Sequence, residues 1–421
     1  MNCTATQISE NLKNQQAGEN QTSEGCQAFE KTQALDSKTS ELAQGRITFL
    51  GTGTSQGVPM IGCNCPVCKS VDTKDKRLRT SAFIEYNGFK LLIDCGPDFR
   101  QQMLRENITD LDAILLTHQH KDHTGGLDDI RAFNYFRRMR IEQEMAAQNG
   151  MAIQDKSTSA QEKIASAQNK SASSLDKIAF PVYAEERVQE GLKKEFYYAF
   201  EEHKYPGVPD YKLITITDKK FQITKEEQIL NNGTFNNCRA SEYSANEHRS
   251  SGSSAWEYHS KDCTLQSENK IQRIEITPIR VMHYKLPILG FRIGNLAYIT
   301  DGSSIPESEF EKLKGLEVLI INTVRHEKHI SHFSLSEAIE IIRRVGAPRN
   351  YLTHLSHQIG THEQLTELLN KEKYNMQRNE QCMNQYNKEN MVQGNGQCMN
   401  GQQNRMQQIY AAYDGLKVEF Q

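Results

Sequence analysis

The chain lacks any long hydrophobic segment. No apolar run in its 421 residues approaches the length of a membrane span. The first thirty residues contain no apolar stretch of the kind found in secretory signal peptides. We therefore expect a cytoplasmic protein with no membrane-spanning segment, in which the ten cysteines are mostly reduced.

The chain also lacks an excess of charge of either sign. Fifty Lys and Arg residues stand against 53 Asp and Glu residues, which gives a formal net charge of −3. The sequence contains no dense basic stripe interleaved with aromatic residues, the usual signature of a surface that grips RNA. Neither a nucleic-acid partner nor a membrane is expected, and a homodimer is left open.

Hydrophobic residues are scarce as well, at 37% of the chain. The shortage is concentrated in four polar stretches that are rich in Gln, Asn and Ser, and such compositions bury too little apolar surface to offset the entropy of ordering. We predict a disordered N-terminal tail followed by one domain with three disordered insertions. The tail is 1–44, the domain is 45–421, and the insertions are at about 141–177, 228–272 and 373–409.

The remaining segments alternate between strand-like and helix-like patterns. Two strand pairs are joined by Asn87-Gly88 and Gly294-Asn295, which favour tight hairpins. Ser334 and Glu337 form a capping-box pattern at the start of a helix, and Leu127 to about Arg140 reads as another helix. This mixture predicts an α/β fold with mixed sheets and external helices. The predicted strands are Arg46–Leu50, Ser81–Tyr86, Lys90–Asp94, Ala113–Thr117, Pro181–Ala184, Gly290–Ile293, Leu296–Thr300, Leu316–Thr323 and Arg349–His354.

One short segment concentrates potential metal ligands. His118, His120, Asp122 and His123 follow directly after the apolar run that ends at Thr117. Imidazole and carboxylate groups suit Zn, Mn or Fe, and four of them within six residues are enough to serve two metal ions. A polar surface loop that is rich in histidine by chance is the alternative, and it fits this pattern poorly.

The pattern His118-x-His120-x-Asp122-His123 resembles the signature of metallo-β-lactamase-fold hydrolases. The resemblance implies an αββα sandwich of two mixed sheets flanked by helices. It extends to Asp94, Asp301 and His354, each at the end of a predicted strand, and to His283, which follows Val281 and Met282. It assigns one metal to His118, His120 and His283, and the other to Asp122, His123 and His354. Asp301 would bridge the two metals. Asp94 would support, from behind, the segment from His118 to His123, which is called the metal loop below.

A second cluster consists of cysteines. Cys63, Cys65 and Cys68 place three thiols within six residues, a spacing that fits three corners of a tetrahedral zinc site. His357 is the leading candidate for the fourth ligand. On an extended chain, His354 and His357 would point in different directions, so each could serve a separate metal. Redox-active or simply buried thiols remain an alternative.

The segment Gly51–Pro59 followed by the cysteines narrows the resemblance to the PhnP-type phosphoribosyl cyclic phosphate phosphodiesterases. That branch implies hydrolysis of a small phosphate diester by a hydroxide that bridges two divalent metals, Zn or Mn. It also implies one structural zinc, bound by Cys63, Cys65, Cys68 and His357. Asp122 would serve catalysis, and His332 aligns best with the histidine that gives a proton to the leaving oxygen, a task that suits a pKa near neutrality.

Two other functions remain open from the sequence. A tRNA 3′-processing nuclease of the same fold would use similar metals but normally requires a basic RNA-binding surface. A non-catalytic metal-binding scaffold would be expected to have lost ligands, and none is missing here. Thioester or lactam hydrolysis also uses this type of centre, but the cysteine cluster favours the phosphodiesterase.

Overall fold

The computed structural model describes residues 45–152, 178–205, 207–230, 267–371 and 407–421. The predicted tail 1–44 and most of the three predicted insertions lie outside these residues. The three predicted insertions include, at their edges, residues that belong to helices and strands. Residues 141–152 continue a helix, 228–230 and 267–272 belong to strands, and Gln408 begins another strand. No helix in the described ranges is long and apolar enough to cross a membrane.

Fourteen strands and seven α-helices are formed by the described residues. The strands are β1 (Gly45–Gly51), β2 (Ser81–Tyr86), β3 (Phe89–Ile93), β4 (Ala113–Leu115), β5 (Phe180–Ala184), β6 (Tyr211–Thr215), β7 (Phe221–Leu230), β8 (Ser267–His283), β9 (Leu286–Ile293), β10 (Leu296–Ile299), β11 (Val318–Asn322), β12 (Arg349–Thr353), β13 (Gln408–Ala411) and β14 (Lys417–Phe420). The helices are α1 (Pro66–Lys69), α2 (Phe99–Glu106), α3 (Lys121–Thr124), α4 (Arg131–Ala152), α5 (Glu186–Glu195), α6 (Leu335–Val345) and α7 (362–371).

The strands form two seven-stranded sheets of similar design. The first has the order β14-β1-β2-β3-β4-β5-β6 and the second has the order β13-β12-β11-β10-β9-β8-β7. In the first sheet the strands from β14 to β3 pair antiparallel, and those from β3 to β6 pair parallel. In the second sheet the run from β7 to β10 is antiparallel and the run from β10 to β13 is parallel. Both sheets are therefore mixed, as predicted.

Three hydrophobic cores hold the layers together. The central core packs one sheet on the other, with Ile84 and Leu91 from the first sheet and Phe291 and Tyr298 from the second all fully or almost fully buried. A second core packs α2, α4 and α5 on the outer face of the first sheet. A third packs α6 and α7 on the outer face of the second sheet. The chain thus has the αββα sandwich that the resemblance implied.

The strongest local signals in the sequence are confirmed. Asn87 and Gly88 both have positive φ angles, as the hairpin between β2 and β3 requires. At the start of α6 both hydrogen bonds of the capping box are present between Ser334 and Glu337. Five strands, β6, β7, β8, β13 and β14, are not among the strands predicted from the sequence. Of these, β7, β8 and β13 overlap the edges of the polar stretches, whose composition obscures their apolar alternation.

Candidate metal centres

The candidate ligands meet because they follow the ends of neighbouring strands. Asp94 follows β3, His118 lies three residues after β4, Asp301 lies two residues after β10, and His354 follows β12. The carboxyl ends of parallel strands lie along the same edge of a sheet, so these residues reach one rim of the sandwich. His283 reaches the same rim as the last residue of β8.

Three of these residues have a left-handed backbone. The φ angles of Asp94, Asp301 and His354 are 61°, 59° and 57°. This conformation is unfavourable for residues other than glycine, and non-glycine residues in it are often found at functional sites. All three are buried, so the surrounding packing holds a backbone geometry that turns each side chain into the rim.

Two glycines allow the metal loop to pack closely on the first sheet. A Cβ added to Gly96 would lie 2.1 Å from the carbonyl oxygen of Asp122, and one added to Gly126 would lie 2.1 Å from the carbonyl oxygen of Gly96. Neither glycine has a positive φ angle. Their role here is close backbone approach, which holds α3 and the residues Asp122 and His123 against the segment that follows Asp94.

The buried half of the centre is formed by His118, His123 and Asp301. Each offers a ligand atom, and the three atoms lie within 4.8 Å of one another. His123 Nε2 lies 3.2 Å from carboxylate oxygens of both Asp122 and Asp301, and His354 Nδ1 lies 3.3 Å from Asp301. Asp301 is therefore placed between the ligands of the two predicted metals, where a bridging carboxylate must lie.

The outer half is formed around His283. The rings of His118 and His120 have their centroids 5.7 and 5.1 Å from that of His283, and His118 Nε2 lies 3.0 Å from His120 Nδ1. His283 Nδ1 donates to the carbonyl oxygens of Asp301 and Ser331, at 2.8 and 2.9 Å. Its Nε2 is therefore the nitrogen available as a ligand.

His123 provides the test of whether a metal fits. The residue is fully buried, and its Nδ1 lies 2.7 Å from Asp94. Its Nε2 is buried and makes no well-aligned hydrogen bond among the described residues, although carboxylate oxygens of Asp122 and Asp301 lie 3.2 Å away. A buried imidazole with one nitrogen bound to a carboxylate and the other without a well-aligned hydrogen bond is the arrangement typical of a metal ligand. The donor set around it, imidazoles with carboxylates, fits a divalent cation.

Asp94 hydrogen-bonds both His123 and Thr117, the residue before the metal loop. Besides His123, its carboxylate accepts hydrogen bonds from the Thr117 backbone N–H at 2.9 Å and from Thr117 Oγ1 at 2.8 Å. Thr117 Oγ1 also lies 2.9 Å from His118 Nδ1. Asp94 thus orients both His118 and His123 from behind, in the position that the resemblance assigned to it.

The charges of the centre are strongly coupled. Burial would raise the pKa of Asp301, but the neighbouring His354 and His123 hold the pKa of this carboxyl well below its usual range. Burial would lower the pKa of His123, but Asp301 and Asp94 raise it well above its usual value. The buried carboxylates thus favour positive charge at this point of the centre, and a divalent cation would supply it.

His332 lies at the mouth of the centre. Its ring centroid is 4.8 Å from those of both His283 and His354, and its Nδ1 lies 3.9 Å from Asp301. Burial, with His354 next, lowers the pKa of His332 to about 3. The loss of water and the neighbouring imidazoles both disfavour the charged ring, so the pKa of His332 lies below the neutral range that suits a proton donor.

The four predicted ligands of the structural zinc also come together. Cys63, Cys65, Cys68 and His357 each offer a ligand atom, and all four atoms lie within 4.8 Å of one another. His357 Nδ1 is 3.3 Å from the sulfurs of both Cys63 and Cys65. These cysteines are free thiols, so a disulfide does not compete with metal binding here. The geometry suits a closed tetrahedral site.

The thiols of this cluster differ in acidity. A hydrogen bond from the Cys68 backbone N–H, together with the contact to His357, lowers the pKa of Cys65 to about 6. Burial raises the pKa of Cys68 to about 11. Cys65 is therefore a thiolate at neutral pH even without a metal. A thiolate is the form in which cysteine binds zinc.

Several residues that support the site were not singled out from the sequence. Thr80 Oγ1 lies 3.2 Å from His354 Nδ1 and donates to the Gly53 carbonyl oxygen. Thr300 Oγ1 donates to Asp301 at 2.6 Å. Arg77 is a fully buried cation that pairs with Asp75 and donates to backbone carbonyls near His357. Their positions depend on contacts between segments far apart in the chain, so no local pattern marks them.

Comparison with known proteins supports the same fold. Residues 241–355 match the profile of the β-lactamase superfamily domain, and residues 66–197 match that of the anti-Pycsar protein Apyc1. A crystal structure of a diphosphatase from the PhnP family is similar, with a TM-score of 0.53 and 28% identity over 90% of this chain and 97% of that one. The chain has the metallo-β-lactamase fold.

Two curated relatives match parts of the chain. An octanoyltransferase of Porphyromonas gingivalis is 34% identical over 327 residues, which are 77% of the chain and 48% of that protein. Ribonuclease Z of Methanopyrus kandleri is 38% identical over 81 residues, which are 19% of the chain and 23% of that protein. The chain thus spans about half the length of the octanoyltransferase and less of the ribonuclease.

Proposed function

We propose that the chain is a metal-dependent phosphodiesterase that hydrolyses a small phosphate diester, with cyclic phosphate esters as the first class to test. The observation that carries this proposal is the arrangement around Asp301. Imidazoles and carboxylates surround it on the rim of the sandwich, and the buried Nε2 of His123 makes no well-aligned hydrogen bond among the described residues.

The residues would divide into two metal-binding sets that share Asp301. His118, His120 and His283 would hold one cation, and Asp122, His123 and His354 the other. Bound there, two divalent cations would lower the pKa of water and polarise the phosphoryl oxygens. Asp94 would keep Nε2 of His123 directed at the cation, because it already occupies Nδ1.

His332 is the proposed proton donor to the leaving oxygen. It is partly exposed at the mouth and contacts the rings of both His283 and His354. Its lowered pKa means that the free chain holds it neutral. A phosphate group bound next to the ring would raise that pKa, because a nearby negative charge favours the protonated form. Proton transfer by His332 would therefore depend on bound substrate.

The choice of a phosphate substrate is supported by relatives. The similar crystal structure is that of a diphosphatase of the PhnP family, and one of the curated relatives is ribonuclease Z. Both names describe cleavage of a bond to phosphorus. The octanoyltransferase supports no acyl transfer by this chain, because 52% of that protein lies outside the match. Of the described cysteines, three belong to the zinc cluster and Cys95 is fully buried, so none offers an exposed nucleophile at the centre.

Hydrolysis of a diphosphate is the second candidate, and the name of the similar structure favours it. Its chemistry would use the same residues, since both reactions displace an oxygen from phosphorus beside two cations. The distinction lies in the leaving group. A phosphate leaving group needs less help from a proton donor than an alkoxide does, so dependence on His332 would separate the two reactions.

The test is a substrate screen with the full chain loaded with Zn or Mn. Cyclic phosphates, linear phosphodiesters, diphosphate esters, a precursor tRNA and a thioester would be compared. We expect metal-dependent turnover of a cyclic or small linear phosphodiester, abolished in Asp301→Asn and His120→Asn. Asp128→Asn, which alters a surface ion pair with Arg131, is the matched control. Cleavage of precursor tRNA alone would favour the nuclease. Bound metals without turnover of any substrate would favour a non-catalytic scaffold.

A further inference from the structure

The two candidate metal sites share one short segment of chain. His354, assigned to the dinuclear centre, and His357, assigned to the zinc cluster, are three residues apart. Between them, Leu355 donates its backbone N–H to the Thr52 carbonyl oxygen at 2.7 Å. Ser356 donates its hydroxyl to the Val324 carbonyl oxygen at 2.6 Å. The segment is thus held on both sides, and displacement of either histidine would move the other.

Arg77 lies under this segment. Its side chain is fully buried, and it donates from Nη1 to the Ser356 carbonyl oxygen at 3.0 Å and from Nη2 to the Gly360 carbonyl oxygen at 3.1 Å. Asp75 balances its charge at 3.2 Å and accepts the His362 backbone N–H at 2.6 Å. One guanidinium therefore spans the turn that carries His357.

The backbone around Arg77 reaches both metal sites. Arg77 exchanges two backbone hydrogen bonds with Val58, at 2.7 and 2.8 Å, and Val58 packs in the hydrophobic cluster that contains Cys63, Cys65 and Cys68. Three residues further on, Thr80 contacts His354 Nδ1 at 3.2 Å. The segment from Asp75 to Thr80 thus contacts Val58, beside the cysteine cluster, and also contacts His354, a candidate ligand of the dinuclear centre.

We propose that Arg77 is a positioning residue that couples the two metal sites, by fixing the segment from His354 to Gly360 between them. Loading the cysteine cluster would then strengthen metal binding at the dinuclear centre. Because such coupling is reciprocal, metal in the dinuclear centre would strengthen the binding of zinc by the cysteines by the same free energy. The proposal rests on the metal assignments of the proposed function.

The first test measures Co²⁺ binding at the dinuclear centre of the full chain, with zinc already in the cysteine cluster. The visible absorption of Co²⁺ with nitrogen and oxygen ligands reports both affinity and ligand geometry. In Arg77→Met we expect the Kd for Co²⁺ to rise roughly 10–100-fold, as for loss of other groups that orient metal ligands, and the visible band to change. Cys63→Ser should produce the same direction of change at the distant centre.

Arg292→Met is the matched control. Arg292 is also a partly buried arginine that holds backbone carbonyls, those of Lys312 and Lys314, both at 2.7 Å, but it touches neither metal site. Its replacement should leave the Kd for Co²⁺ and the visible band unchanged. An equal loss of Co²⁺ affinity in both arginine variants would show a general structural effect and overturn the role of Arg77.

A second measurement needs no substitution at Arg77, since that variant could fail to fold. The Kd of the cysteine cluster of the unaltered chain for zinc is measured by equilibrium competition with a chelator, with the dinuclear centre empty and filled. Tighter zinc binding by the filled protein is expected, and equal Kd values would overturn the coupling. Failure of Co²⁺ to bind at His118–His123 at all would instead overturn the proposed function, so the two failures are distinguishable.

Discussion

At the scale of single residues, the most informative groups are the imidazoles around Asp301. His123 and His354 contact its carboxylate directly, and His332 lies slightly further out at 3.9 Å. His123 and His354 are buried ligand candidates, whereas His332 is partly exposed. Exposure, and not spacing, separates His332 from the two buried histidines, because His283, Asp301 and His332 also lie close enough together to hold an ion.

The first prediction concerns His332. Replacing it with Ala should lower kcat for an alkoxide-leaving phosphodiester by roughly 10²–10⁴-fold, the usual contribution of a general acid. Metal content should stay the same, because Asp301, His283 and His354 remain. Steady-state kinetics and metal analysis of the same preparation check this. A parallel loss of metal would instead identify His332 as a ligand, which its distance from His283 and Asp301 also allows.

The second prediction concerns the zinc cluster without its metal. Cys65 should be alkylated by iodoacetamide with a midpoint near pH 6, because the Cys68 N–H and His357 stabilise its thiolate. Cys68 should react only well above neutral pH, because burial raises its pKa to about 11. Mass spectrometry of the chelator-treated chain across pH measures both. Equal reactivity of the two thiols at pH 7 would contradict the predicted difference.

At the scale of elements, the site depends on how strands end. β3, β10 and β12 each stop one or two residues before a buried Asp or His with a left-handed backbone. Strand endings of this kind were visible in the sequence as apolar runs that stop at Asp94, Asp301 and His354. The backbone conformation was not visible, because it is imposed by packing around the rim.

The third prediction tests the helix that supports the mouth of the centre. Ser334 caps α6, and Leu335 donates its backbone N–H to the Arg325 carbonyl oxygen at the start of the loop that carries His332. Ser334→Ala should lower the free energy of unfolding by about 1 kcal/mol, the usual cost of losing an N-cap. Urea denaturation measures this. Glu340→Ala, at an exposed position of the same helix, is the control, and a loss as large there would contradict a specific capping role.

At the scale of the whole molecule, two equivalent half-parallel sheets bring separate parts of the chain to one rim. The ligands span from Cys63 to His357, so the complete site exists only when both sheets are formed and packed. Closing such long loops costs entropy, which metal binding helps to offset in the folded state. Bound metals would therefore contribute to stability as well as to chemistry.

The fourth prediction follows from the two kinds of site. The purified full chain should bind three metal ions, of which one resists chelation. The cysteine cluster is closed by four protein ligands, whereas the dinuclear centre opens at His332 to solvent and substrate. Metal analysis before and after dialysis against a chelator checks both the number and the resistance. Two ions of equal lability, with no third, would contradict the assignment of the cysteines.

The sequence by itself determined the fold class, the hairpins and the capped helix, because each depends on local spacing of apolar, turn or capping residues. It also marked every candidate ligand, since histidine, cysteine and carboxylate residues at strand ends are visible in the chain. Only the tertiary structure decided the surroundings of these ligands. These include the hydrogen bonds of Asp94 to Thr117 and His123, the lowered pKa of His332 and the buried position of Arg77. These depend on burial and on contacts between separate segments, 29 residues apart for Asp94 and His123 and 279 residues apart for Arg77 and Ser356, which no local pattern encodes.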